Sequence, residues 1–216
     1  LNTKNKSFIF TLNQDLFFER LISNHQLSIP GITKKSNFFT TYFRDELSEG
    51  DYCQLPDKYK LNHIKSNILS KGNFFFIKLH GSHNWKSFDG TPKMVIGKGK
   101  TEQIEKEPLL NYYFDIFKNV LFQKKRRLLI VGYGFGDEHI NNIIAEAIRY
   151  YELKIYIISP DLPKDLKNKL INETKYGEYL WQGISGYFQN RLIEIFPEDL
   201  YHPTQASKKL IKNFFQ

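Results

Sequence analysis

Apolar residues fall along the chain in short continuous runs separated by longer amphipathic stretches. Ser7-Phe8-Ile9-Phe10-Thr11-Leu12 and Phe74-Phe75-Phe76-Ile77-Lys78-Leu79 read as buried strands, and Arg127 to Val131 and Lys154 to Ser159 read as two more. Helices are expected from Asp15 to Gln26, from Pro108 to about Gln123, and from an Asp137 cap to about Tyr150. Along the last of these Ile140, Ile144, Ala147 and Tyr151 share a face. Trp85 to Ile96 has the form of a hairpin, with Asp89-Gly90 as its turn. Helices near 163–173 and 204–215 and a short strand near 191–196 complete the pattern. Residues 28–72 have weak periodicity and turn formers at Pro30-Gly31 and Leu55-Pro56-Asp57, so a lid or insertion with short helices is expected there. No internal repeat interrupts this order.

Apolar strands alternating with amphipathic helices imply an α/β fold, a parallel sheet covered on both faces. A length of 216 residues suits a single domain with its own core. No apolar run is long enough for a transmembrane helix. Leu1-Asn2-Thr3-Lys4-Asn5-Lys6 is polar, has no apolar leader core and no initiator Met, so the segment is expected to continue upstream. The single cysteine, Cys53, excludes an internal disulfide and a four-cysteine zinc site within these residues, and it fits a reducing, cytoplasmic setting. With no activating neighbour in the sequence, Cys53 is expected to be inert.

The net charge of +8 changes this picture little. The basic residues are scattered, and the one dense run, Lys124-Lys125-Arg126-Arg127, follows a predicted helix, where cations are commonplace. Abundant Lys, Asn, Ile, Phe and Tyr, all with A/T-heavy codons, make genome composition a sufficient source of the charge and of the aromatic excess. No nucleic-acid recognition motif accompanies it.

In parallel sheets ligands bind at the carboxyl ends of the strands, and here those ends carry the chemistry. Thr11-Leu12-Asn13-Gln14-Asp15 follows the first strand, His80-Gly81-Ser82 the second, Gly132-Tyr133-Gly134-Phe135-Gly136-Asp137 the third and Ser159-Pro160-Asp161 the fourth. Amide, carboxylate, imidazole, hydroxyl and glycines suit a phosphorylated nucleotide with a reactive sugar: glycine permits close backbone approach and a helix N-terminus holds phosphate. Each element also has an ordinary structural reading. Asp15 can cap the next helix, a histidine after a strand is more often structural, and the glycines can make a tight turn. Gly132-x-Gly134 lacks the third glycine of a dinucleotide fingerprint, because Asp137 stands there. Gly99-Lys100-Thr101 lacks the first glycine of a P-loop, because Met94 stands there.

Order and placement together are more specific. Thr11-Leu12-Asn13-Gln14-Asp15 resembles the sirtuin pattern Thr-x-Asn-x-Asp, and Leu79-His80-Gly81 is similar to the Leu-His-Gly segment of the same family. Gly132-Tyr133-Gly134-Phe135-Gly136-Asp137 resembles the Gly-Tyr-Ser-Phe-x-Asp block of bacterial sirtuin-like anti-phage defence proteins. Ile157-Ile158-Ser159 falls where sirtuins carry an Ile-Asn. The resemblance covers most of residues 8–160.

It implies a Rossmann-like fold and NAD as substrate, with Asn13 and His80 catalytic, His80 as general base at the ribose. It also implies that Thr11, Asp15, Gly81, Gly132, Gly134, Asp137 and Ser159 hold the dinucleotide. Two departures bear on activity. Sirtuin deacetylases usually carry a four-cysteine zinc module; with one cysteine, NAD hydrolysis to ADP-ribose and nicotinamide is expected rather than deacetylation, with no bound zinc. The family's glycine-rich phosphate loop should precede the first strand, and residues 1–7 do not supply it, so these residues alone are expected to bind NAD weakly and to associate with a second copy or a partner effector domain. The alternatives are a module that senses NAD or ADP-ribose without cleaving it, and an oxidoreductase, for which Ser159 stands where a ribose-binding acid is required.

Overall fold

The computed structural model describes residues 6–18, 28–32, 51–70, 72–199 and 201–215. They form two compact units that divide between Asn119 and Val120.

In the first unit β1 (Ser7–Thr11) pairs in parallel with β3 (Phe74–Lys78), Ser7 opposite Phe74 and Thr11 opposite Lys78. β2 (Cys53–Gln54) and α1 (Lys58–Ile64) lie between them in sequence. A second sheet joins β2 in parallel to β4 (Gly81–Lys86), which pairs antiparallel with β5 (Pro92–Met94). The expected Asp89-Gly90 turn closes this hairpin; Gly90, at φ 85°, adopts the left-handed backbone that the turn needs. α2 (Lys100–Lys106) and α3 (Pro108–Leu121) follow.

Aromatic rings fill the core of this unit. Phe75, Phe76, Ile77, Trp85, Tyr113 and Ile116 are fully buried, each worth about 1.5–3 kcal/mol in transfer terms. Phe8 stacks on Phe75 at 5.5 Å, and Phe10 meets the edge of Phe117 at 4.8 Å. Parts of the expected insertion join this core: Ser28 bridges to Phe75, Tyr113 donates to the Pro30 carbonyl at 2.5 Å, and Ile29, Leu55, Leu61 and Leu69 are buried. Of the helix expected after β1, Phe17 and Phe18 are helical. Asp15 and Leu16 form a bend before them, and residues 19–26, like residues 33–50 of the insertion, lie outside the described residues.

The second unit is a parallel three-stranded sheet, ordered β6 (Arg127–Val131), β7 (Lys154–Ser159), β8 (Ile184–Gln189). Parallel neighbours need long crossovers. α4 (Glu138–Tyr151) supplies the first, and α5 (Pro163–Glu173) with α6 (Gly177–Gln182) the second. α7 (Leu192–Ile195), α8 (Gln205–Leu210) and a final π turn (Ile211–Phe215) end the described chain. Ile140, Ile144 and Ala147 of α4 are buried as their spacing predicts, whereas Tyr151 is half-buried and stacks on Phe122 at 4.3 Å. Tyr156, Ile158, Phe188, Ile195 and Leu210 form one cluster.

Parallel strands flanked by helices in each unit give the mixed α/β, Rossmann-like fold that the sequence predicts. Two local readings need correction. The strand expected near 191–196 is the helical turn α7, held by the Arg191 amide, which donates to the Glu194 carboxylate at 2.7 Å. The strand is β8, seven residues earlier. Asp137 stands at the cap position of α4, but its side chain makes no cap hydrogen bond.

Candidate functional site

Because β1 and β3 are parallel and in register, their carboxyl ends lie side by side. Leu79 donates its amide to the Thr11 carbonyl at 2.9 Å, extending the ladder one step beyond the strands. Asn13 and His80 therefore leave the same edge of one sheet, each two residues past its strand. Thr11 Oγ1 accepts from the Asn13 amide at 3.0 Å and turns the chain. Asn13 and Asp15 are exposed, and between them Gln14 points inward. Its side-chain amide donates to the carbonyls of His80 at 3.1 Å and Val95 at 2.9 Å.

Asp15 does what a polar residue before a helix commonly does: its Oδ1 accepts from the Phe17 amide at 2.9 Å. Its carbonyl accepts from Lys78 Nζ, the ammonium of a fully buried lysine. His80 is 4 % exposed. Gly81 has a structural reason to be glycine. Its φ is +76°, and a Cβ there would stand 2.3 Å from the Lys93 carbonyl oxygen of β5. The glycine lets the hairpin close onto the residue after His80.

The second unit builds its own carboxyl edge. Gly132 leaves β6 at φ +66°, and Phe135, a non-glycine residue, sits at φ +56°. Side chains pin this loop from beneath. Tyr133 donates its hydroxyl to Asn141 Oδ1 at 2.8 Å, and Asn141 Nδ2 donates to the Phe135 carbonyl at 2.8 Å. Burial pushes the Tyr133 hydroxyl pKa well above the usual phenol range, so it stays protonated and remains a donor. A Cβ on Gly132 or Gly136 would meet nothing within 4 Å, and one on Gly134 would meet Lys169 Nζ at 3.7 Å. The loop thus leaves open space over its backbone, with an ammonium at its margin, which fits the approach of a phosphorylated ligand. At the adjacent end of β7, Ser159 Oγ accepts from the Asp161 amide at 3.2 Å, and the Asp161 carbonyl accepts from Tyr187 at 2.9 Å. Asp137 is half-buried at the start of α4.

All nine candidate residues thus lie at strand carboxyl ends: Thr11, Asn13, Asp15, His80 and Gly81 in the first unit, Gly132, Gly134, Asp137 and Ser159 in the second. The residues that hold them were not found from the sequence. Asn141 carried a signal, a polar side chain beside Ile140 on the buried stripe of α4. Lys78 carried one too, a charge at the end of an apolar strand. Gln14 carried none, since its partners are 66 and 81 residues away.

In parallel α/β units the carboxyl ends of the strands, which here carry an amide, an imidazole and open glycines, are where ligands bind. Residues 7–179 match the SIR2-like domain, and the chain belongs to that family. The match begins at β1 and reaches α6, and membership points to NAD-related activity. No curated protein matches the chain. Among the described residues no helix is long and apolar enough to cross a membrane.

Proposed function

We propose that this chain belongs to an NAD hydrolase that cleaves the nicotinamide–ribose bond, giving ADP-ribose and nicotinamide. The observation that carries the reading is that Asn13 and His80 share one strand edge, each held there by bonds from neighbouring backbone or side chains. Breaking the bond to nicotinamide generates positive charge at the sugar, as in glycoside hydrolysis. Asn13 would orient the leaving carboxamide. His80 would take a proton from a ribose hydroxyl or from the attacking water, whose oxygen forms the new bond at the anomeric carbon. The Gly132–Asp137 loop and Ser159 would hold the phosphates and the adenosine ribose, with Thr11, Asp15 and Gly81 supporting the nicotinamide end. A zinc-dependent deacetylase is the poorer fit to a sequence with one cysteine. The proposed setting is the bacterial cytoplasm, in anti-phage defence, with a second copy or an effector domain as partner.

The test is nicotinamide release by the full-length protein. His80→Ala is expected to lower it by at least about 100-fold, the usual cost of losing a general base. Asn13→Ala is expected to cripple it as well, both variants staying folded, with some loss of midpoint for His80→Ala because His80 is buried. Unchanged release in His80→Ala would make the histidine structural. A second reading, a module that senses NAD or ADP-ribose without cleaving it, is favoured by the burial of His80. It predicts NAD binding by calorimetry with no nicotinamide released.

A further inference from the structure

We propose that Gln14 is the positioning residue of this site, the group that fixes His80 relative to Asn13. The proposal rests on the NAD-hydrolase reading above and adds a residue to it. Gln14 touches the segment that carries His80 at three points and the chain across the hairpin at a fourth. Its Nε2 donates to the His80 carbonyl and, across the hairpin, to the Val95 carbonyl, at 3.1 and 2.9 Å. Its own carbonyl accepts from the His83 amide at 2.9 Å and from Ser82 Oγ at 3.4 Å. The bonds thus fall on both sides of the His80–Gly81 step. The Val95 amide donates in turn to the His80 carbonyl at 2.9 Å, so the carbonyl of His80 is gripped by two donors.

Chemistry fixes the direction of the contact. Both partners of the Gln14 side chain are carbonyl oxygens, so the NH2 end must face them. No acidic side chain can serve there, and a shorter amide cannot span both. The main-chain neighbours of Gln14 are the two exposed residues Asn13 and Asp15, while Gln14 itself turns in. One tripeptide therefore presents Asn13 outward and, with the residue between, holds the histidine turn at a fixed distance from it. Gln14 has no reason to touch substrate; its effect passes through His80. A reacting group displaced by about 1 Å can lose on the order of 100-fold in rate, so such a brace has kinetic consequences without chemistry of its own.

Gln14→Leu in the full-length protein removes both donors at similar volume, and Gln14→Asn keeps an amide that reaches one carbonyl at most. The milder Asn variant keeps the test open should Leu fail to fold. Each is expected to lower kcat for nicotinamide release, by about tenfold or more for Leu and less for Asn, with KM for NAD within about twofold. In a His80→Ala background the same substitutions are expected to change the residual rate by less than about twofold, because the group they position is gone. The His80 ring resonances are expected to move in both variants. Equal losses in the wild-type and His80→Ala backgrounds, wild-type kcat in both variants, or unmoved His80 resonances overturn the proposal. A wild-type protein that releases no nicotinamide defeats the hydrolase reading instead, and the His80 resonances then decide alone whether Gln14 positions the histidine.

Discussion

Tyr133 gives its hydroxyl proton to the side-chain oxygen of Asn141, eight residues later and 2.8 Å away. That bond is half of a brace under the glycine loop after β6; the other half runs from the Asn141 amide to the Phe135 carbonyl. Asn141 is buried, so its loss would take the donor from the Phe135 carbonyl and leave the Tyr133 hydroxyl with only the Asp137 carbonyl, 3.2 Å away. Asn141→Leu is expected to destabilise the protein by about 2 kcal/mol, and Tyr133→Phe by about 1 kcal/mol. Urea unfolding of the two variants and of the double variant checks this; the double should cost less than the sum.

Gly81 and Gly132 are both at positive φ but differ in what surrounds them, and alanine at each separates fold from function. At Gly81 the new methyl would be driven into the Lys93 carbonyl at 2.3 Å, and the hairpin would have to open. Gly81→Ala is expected to lower stability by more than the roughly 1–2 kcal/mol of a left-handed backbone alone. At Gly132 the methyl meets nothing, so only that backbone cost of about 1–2 kcal/mol applies. Gly132→Ala is expected to stay folded and to lose NAD affinity, because the methyl enters the space a phosphate would use. Thermal unfolding with calorimetry distinguishes the two, and equal effects on both readouts at both positions would refute the assignment.

Glu107 gives a pH dependence of unusual sign. Ser87 Oγ donates to its carboxylate at 2.8 Å, and Lys93 stands 3.9 Å away. Burial is the largest influence and holds the carboxyl above its ordinary value of 4.5, against the lowering effects of Ser87 and Lys93. The native state then binds this proton more tightly than the unfolded chain does. The contribution to stability is greatest where Glu107 is protonated and is lost as pH rises from 4.5 through the raised native value. Glu107→Gln keeps an oxygen for Ser87 and removes the ionisation. Its unfolding midpoint relative to wild type is expected to rise as pH increases above 4.5. A relative midpoint that falls over that range would show that the Lys93 ion pair outweighs burial.

The corrected strand is checked at Gly186. A Cβ there would stand 2.6 Å from the ring of Tyr156 on β7, so Gly186→Val is expected to cost at least about 1–3 kcal/mol through overpacking. Ile193, 55 % exposed on α7, is the control: Ile193→Ser is expected to change stability by no more than about 0.5 kcal/mol. The reverse ranking in denaturant unfolding would restore a strand at 191–196.

That pair also explains what the sequence concealed. β1, β3, β6 and β7 were legible because each carries a run of adjacent apolar residues, though only β3 and β7 are buried along most of their length. β8 was not, because Ser185 and Gly186 interrupt Ile184-Ser185-Gly186-Tyr187-Phe188, and the glycine is present to admit a neighbour's ring rather than to end a strand. Leu192-Ile193-Glu194-Ile195-Phe196 looks like a strand, but only Ile195 is buried, while Leu192, Ile193 and Phe196 are half or more exposed. Asn13 and His80 could be picked out because strand ends are where such folds place ligands. Gln14 could not, because its partners are main-chain carbonyls, which leave no mark on residue identity.

The parallel pairing of β1 with β3 has a consequence in time. Ser7 must meet Phe74, sixty-seven residues further along by simple difference of their numbers. A ribosome adding about 5–20 residues per second leaves β1 waiting roughly 3–13 s before its partner strand has been made. Through that interval Phe8 and Phe10 have neither Phe75 nor Phe117 to pack on. The edge that brings Asn13 beside His80 thus forms only once β3 has been made, and a nascent chain stalled before Phe74 would expose a sticky aromatic strand, a substrate for chaperones rather than for chemistry.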